Sequence, residues 1–181
     1  DVAVLGNAKE SLTALTVLIN KNEHKDWLAK FRYLEKEEFK EVINEELNPT
    51  TDLMTMGEVM NKINLHSDQN NIIVTDVGQH QMIACRYAKF KQTRSSITSG
   101  GLGTMGFCLP AAIGAKMGRP DAQVIGVIGD GGFQMTIQEL GTIFQFKTAV
   151  KIVVLNNEFL GMVRQWQELF FDKRYAATTM V

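Results

Sequence analysis

Val124-Ile125-Gly126-Val127-Ile128-Gly129-Asp130-Gly131-Gly132 is a β-branched run that ends in glycines around one carboxylate. A second run, Lys151-Ile152-Val153-Val154-Leu155, ends in Asn156-Asn157. A helix-like stretch lies between them, so the three pieces read as one βαβ unit with two parallel strands. Both strands then deliver an oxygen-bearing side chain to the same sheet edge. One anionic and one neutral oxygen ligand suit a hard divalent cation such as Mg2+. A cation held that way serves to hold a phosphate.

Outward from this unit the pattern repeats. Strands are expected over Asn71–Val77, near Ser96–Thr98, over Gln123–Ile128 and over Val150–Leu155. Helices are expected from Thr55 through Ile63, then over His80–Phe90, Phe107–Met117, Thr136–Phe146 and Gly161–Phe170. Thr55 and Glu58 make a capping box, with Met54 and Val59 placed as its hydrophobic staple. Strands that alternate with helices and read as continuous Val/Ile runs predict an α/β fold. Its doubly wound, mostly parallel sheet has helices on both faces.

The N-terminal third differs. Residues 1–20 read as a short strand, Val2–Leu5, and a helix capped by Asn7 with Glu10 three residues later. Residues 21–50 read as a charged helical linker, where Trp27, Leu28 and Phe31 interleave with charges of both signs. Pro49 marks a boundary, and residues 51–181 form the main domain. The chain starts at Asp1 and stops at Val181 soon after an aromatic-rich helix, so it is read as truncated at both ends.

Composition narrows the function classes. The 181 residues carry a net charge of −1 and a pI near 6.4, which offers no electrostatic case for nucleic acid or an anionic membrane. No apolar run approaches the roughly 18 residues of a membrane span. Cys85 and Cys108 can build no disulfide framework and lack metal-ligand spacing. Both read as buried thiols in a reducing compartment, which makes a cytoplasmic location the expectation.

Three further stretches bear on the site. Gly101-Leu102-Gly103-Thr104-Met105-Gly106 fits the dinucleotide fingerprint G-x-G-x-x-G. The strand before it is short and polar, and the next strand ends in Asp130 and two glycines, which weakens a nicotinamide reading. Glycines for tight helix–strand packing remain an equal alternative. Gly78-Gln79-His80-Gln81 follows a strand, so Gln79 and His80 are placed to donate to phosphate oxygens at a helix N-terminus. Gly129, Gly131 and Gly132 let backbone N–H groups approach an anion before the expected Thr136 helix. Met105, Met135 and Met162 fall beside these loops, as flexible apolar contacts for a flat heterocycle or as core filler. Trp166 and Phe170 lie one helical turn apart, at a pocket mouth or in a core. His24 and His66 have no such context and read as surface residues.

Together these residues resemble the thiamine diphosphate enzyme family, whose signature is Gly-Asp-Gly, a spacer of about two dozen residues, then Asn-Asn. Asp76-Val77-Gly78-Gln79-His80-Gln81-Met82, Thr98 through Met105, and Phe159-Leu160-Gly161-Met162-Val163-Arg164-Gln165-Trp166 look like the acetolactate synthase (acetohydroxyacid synthase) large catalytic subunits within it. The resemblance runs from about Thr51 onward, and residues 1–20 look like the tail of those subunits' central domain.

The resemblance implies a magnesium-dependent transferase of branched-chain amino acid biosynthesis. Such an enzyme decarboxylates pyruvate and ligates the two-carbon unit to pyruvate or 2-ketobutyrate. It implies Mg2+ on Asp130, the Asn157 side chain and the Phe159 carbonyl, and diphosphate on Gln79, His80, Gly131 and Gly132, with Gly129 beside them. The Gly103 carbonyl would accept from the pyrimidine amine, Met105 and Met162 would hold the cofactor bent, and Met135 would pack near its thiazolium ring. Trp166 would face the second keto acid. Also implied are FAD mostly outside this chain, a homodimer or tetramer, and a regulatory small subunit. The glutamate that activates the pyrimidine would come from another domain of a neighbouring subunit, so the chain alone is expected to have little or no carboligase activity. Another thiamine diphosphate enzyme, of glyoxylate carboligase or pyruvate oxidase type, and a nonenzymatic dimeric module stand as alternatives.

Overall fold

The computed structural model describes residues 2–180. Asp1 and Val181, the outer bounds of the first and last expected segments, lie outside the described residues. The chain divides into two compact units, Asp1–Val42 and Ile43–Val181.

The first unit contains helices α1 (Ala8–Leu18) and α2 (Lys25–Glu38). Asn7 caps α1, its side-chain oxygen accepting from Lys9 N at 3.0 Å. Neither helix has a buried residue. The expected strand over Val2–Leu5 does not form. Among the described residues no strand completes a ladder with it, and a lone extended segment gains no inter-strand hydrogen bonds. A π-helical turn, Phe39–Ile43, leads into α3 (Asn44–Leu47).

The second unit continues with α4 (Met56–His66), β1 (Asn71–Thr75), α5 (Gln79–Tyr87), β2 (Ser96–Thr98) and α6 (Cys108–Gly118). Then come β3 (Gln123–Gly129), α7 (Asp130–Met135), α8 (Glu139–Phe146), β4 (Val150–Leu155) and α9 (Gly161–Phe170). The four strands form one sheet in the order β2-β1-β3-β4, with every pairing parallel.

Alternation along the two central strands supplies two cores. Ile72, Val74, Val124 and Ile128 pack with Leu109 and Ala112 of α6 on one face. Ile73, Ile125 and Val127 pack with Met60 of α4 and Ala84 and Tyr87 of α5 on the other. Each fully buried aliphatic side chain contributes on the order of 1.5–3 kcal/mol. The sheet is thus doubly wound, as the alternation of elements predicts.

Three expectations are corrected. The helix expected over Thr136–Phe146 begins only at Glu139, and a separate short helix, starting at Asp130 itself, precedes it. Thr136 turns its hydroxyl to the Gly106 carbonyl at 2.9 Å and breaks the run there. Thr55 does cap α4, accepting from Glu58 N at 3.0 Å. However, the Gly57 N–H goes to Glu46 Oε1 at 3.1 Å, and Met54 is 68% exposed rather than stapled. Cys108 is buried but Cys85 is exposed, because Ala84 and Tyr87 take the inward positions of α5.

Candidate functional site

Chain order reverses between β1 and β3: β2 lies beside β1 on one side, β3 on the other. The crossover helix α5 covers one face and α6 the opposite face. At such a switch point the loops leaving the strand ends diverge and open a crevice. Register sets what enters it. Gly129 pairs with Leu155, so Asp130 and Asn156-Asn157 emerge level with one another.

A cavity of about 220 Å³ lies there. The first residues of α5, α7 and α9 (Gln79, Asp130 and Gly161) all border it, so three helix N-termini meet at one space. His80, Gly129, Gly131, Gly132 and Asn157 complete its polar side. Gly103, Met105, Phe159 and Met162 line it as well. Met135 and Trp166 do not. Met135 ends α7 beside Gly106, and Trp166 is 57% exposed on α9, its ring 4.8 Å from that of Phe170.

The polar groups are held by one another. Asp130 Oδ1 accepts from Gly131 N at 2.9 Å, and its Oδ2 from Glu158 N at 2.7 Å. Asn157 Oδ1 accepts from Phe159 N at 3.1 Å, while its Nδ2 donates to Gln79 Oε1 at 3.2 Å. Gln79 Nε2 donates in turn to Gln165 Oε1 at 3.2 Å. The carboxamide nitrogen of Asn157 is therefore committed, which leaves its oxygen as the donor for a cation. No group of three or more His, Cys, Asp or Glu side chains converges among the described residues. A cation here would rely on Asp130 with neutral oxygens, a set that fits a hard ion such as Mg2+.

The family can now be named from the same stretch. A family profile described as thiamine pyrophosphate enzyme, C-terminal TPP binding domain, matches residues 76–180. The chain belongs to the thiamine pyrophosphate enzyme family. This stretch contains Gln79, Gly103, Asp130 and Asn157, all on the cavity wall of this family member. Among curated relatives, the acetolactate synthase large subunit of Lactococcus lactis is 44% identical over 96% of the chain and 30% of its own length. The mitochondrial acetolactate synthase catalytic subunit of Saccharomyces cerevisiae is 40% identical over 98% of the chain and 26% of its own length. The Escherichia coli isozyme 2 large subunit is 53% identical over 60% of the chain and 20% of its own length. The chain thus spans less than a third of the length of each of these relatives. No helix among the described residues is long and apolar enough to cross a membrane.

Two residues of this family member's site were not singled out from sequence. Gln165 is reached only through Gln79, across a long sequence separation that no local pattern reveals. Asp76 is wholly buried behind the cavity, with His80 Nε2 on its Oδ1 at 2.5 Å and Gly106 N on its Oδ2 at 2.9 Å. Its one sequence signal is the i,i+4 spacing to His80.

Proposed function

We propose that the chain supplies the diphosphate and metal side of a thiamine diphosphate site in an acetolactate synthase catalytic subunit. One observation carries the reading. Among the described residues, the cavity wall has no lysine or arginine, and its one carboxylate is Asp130. A diphosphate beside that carboxylate would meet like charge in a partly desolvated space, so a dication must stand between them.

Asp130, the Asn157 carboxamide oxygen and the Phe159 carbonyl would hold Mg2+. Gln79, the backbone N–H of His80, and the backbone of Gly131 and Gly132 would contact the diphosphate oxygens, and the Gly103 carbonyl would accept from the pyrimidine amine. Met105 and Met162 would exclude water around the heterocycles and favour a bent ligand. Trp166, on the solvent side, would meet the second keto acid. When bound, thiamine diphosphate supplies the electron sink that pyruvate decarboxylation and two-carbon transfer require. The chain's own task is placement and desolvation.

The proposal extends to pyruvate and 2-ketobutyrate as substrates, to a homodimer or tetramer, and to a cytoplasmic location. FAD would bind mostly outside these residues. Residues 1–20 are assigned to a preceding domain's tail, 21–50 to a linker and 51–181 to the cofactor domain. The words "large subunit" in the relatives' names favour a regulatory small subunit as partner.

Product analysis tests the reaction. The full-length subunit containing these residues, with thiamine diphosphate, Mg2+ and pyruvate, should release carbon dioxide and form 2-acetolactate, whereas residues 1–181 alone should show little or no activity. With 2-ketobutyrate added, the full-length subunit should also form 2-aceto-2-hydroxybutyrate. Acetaldehyde or acetyl phosphate as the sole carbon product would contradict the assignment.

A further inference from the structure

We propose that Asp76 is the positioning residue of the diphosphate side of the site, acting through the ring of His80. The inference rests on the thiamine diphosphate reading above and adds a residue to it. Asp76 follows β1 directly and is 0% exposed. A carboxylate in that position is costly unless each oxygen is engaged. Both are. Oδ1 takes the His80 Nε2–H at 2.5 Å and Oδ2 takes the Gly106 N–H at 2.9 Å. The side chain also lies against Gly132, where a Cβ would overlap the carboxylate. One buried group therefore joins the Gly78-Gln79-His80 turn, the Gly101–Gly106 loop and the first turn of α7.

Asp76 does not border the cavity, whereas His80 does. Its influence must pass through what it holds. With Nε2 fixed, the opposite edge of the His80 ring slots between Gly78 and Gly129. A Cβ at either glycine would lie 2.7 Å or 2.9 Å from His80 Nδ1. That is the edge turned toward the backbone that lines the cavity. A hydrogen bond on one ring nitrogen sets the role and direction of the other. In Asp76→Asn the amide keeps the volume but not the chemistry. Its oxygen is needed by Gly106 N–H, so its NH2 faces Nε2–H, donor against donor. The ring must turn or change tautomer.

The test is a double-mutant cycle in the full native chain, using Asp76→Asn, His80→Gln and the double variant. Calorimetry reads the affinity of two probes, Mg2+–thiamine diphosphate and Mg2+–pyrophosphate. Asp76→Asn should weaken both by about tenfold. In the His80→Gln background, the same change should cost less than about twofold, because its route is gone. Equal losses in both backgrounds, or unchanged binding in Asp76→Asn, would overturn the assignment. A further measurement needs no folded Asp76 variant. The native chain should show a far-downfield, slowly exchanging proton for the His80–Asp76 bond, lost in His80→Gln, and its absence also overturns the proposal. Were the native chain to bind neither probe, the thiamine diphosphate reading itself would fall, an outcome distinct from uncoupled variants of a binding protein.

Discussion

At Cys108, burial pushes the thiol pKa well above its ordinary value of 9.0, and the nearby Asp76 carboxylate adds to the effect. The Sγ–H donates to the Val74 carbonyl at 3.2 Å, and the side chain closes over Gly126, where a Cβ would stand 3.1 Å from the sulfur. The folded state thus keeps a proton that the unfolded thiol loses above pH about 9. Stability should fall as pH rises through that range, by up to about 1.4 kcal/mol per pH unit from this group. Urea unfolding of the native chain and Cys108→Ala at pH 8 and pH 10 should show a shallower fall in the variant. Equal falls would contradict the assignment. Iodoacetamide on the folded chain should label exposed Cys85 and spare Cys108. The sequence pointed to Asp130, Asn157, Gln79 and His80 because each stands in a polar cluster just past a strand end. It did not separate Cys85 from Cys108, or mark Asp76 as buried, since those outcomes depend on which helix face packs inward.

At the level of elements, α7 begins where the strand β3 stops, and the glycines after Asp130 are needed for space. A Cβ at Gly132 would overlap the Asp76 carboxylate. Gly132→Ala should therefore cost roughly 1–3 kcal/mol of stability and weaken Mg2+–thiamine diphosphate binding as well. Thermal melts and calorimetry read the two effects. At the other end of the site, the Arg164 guanidinium lies 4.1 Å from the ring centres of both Phe159 and Tyr175. Backbone bonds from Leu160 N to Thr178 O and from Met180 N to Glu158 O, each 2.8 Å, tie the same segment down. Arg164→Leu removes cation–π contacts worth about 1–2 kcal/mol. Hydrogen exchange in residues 172–180 should then rise several-fold, and unchanged exchange would show that the backbone bonds suffice. The extents of β2, β4 and α9 were legible, whereas β1 stops at Thr75 rather than at the expected Val77. The break between α7 and α8 was not legible, because a tertiary bond from Thr136 to Gly106 makes it.

For the whole molecule, the doubly wound sheet and its switch point follow from parallel Val/Ile runs separated by helices. Beside the switch point, β3 and β4 pair with their ends in register. In the unit Asp1–Val42, helices α1 and α2 contribute no buried residue. Removing residues 1–42 should therefore leave the melting temperature of the remainder within a few degrees, and a large drop would contradict this. The central claim is that Asp130 and Asn157 anchor a cation which in turn anchors a diphosphate, in a cavity walled without lysine or arginine. Calorimetric titration of the full native chain with thiamine diphosphate, with and without Mg2+, tests it most directly, run in parallel on Asp130→Ala. Tight binding should require Mg2+ and fall by about a hundredfold or more in Asp130→Ala. Binding of equal strength without Mg2+, or in the variant, would contradict the claim.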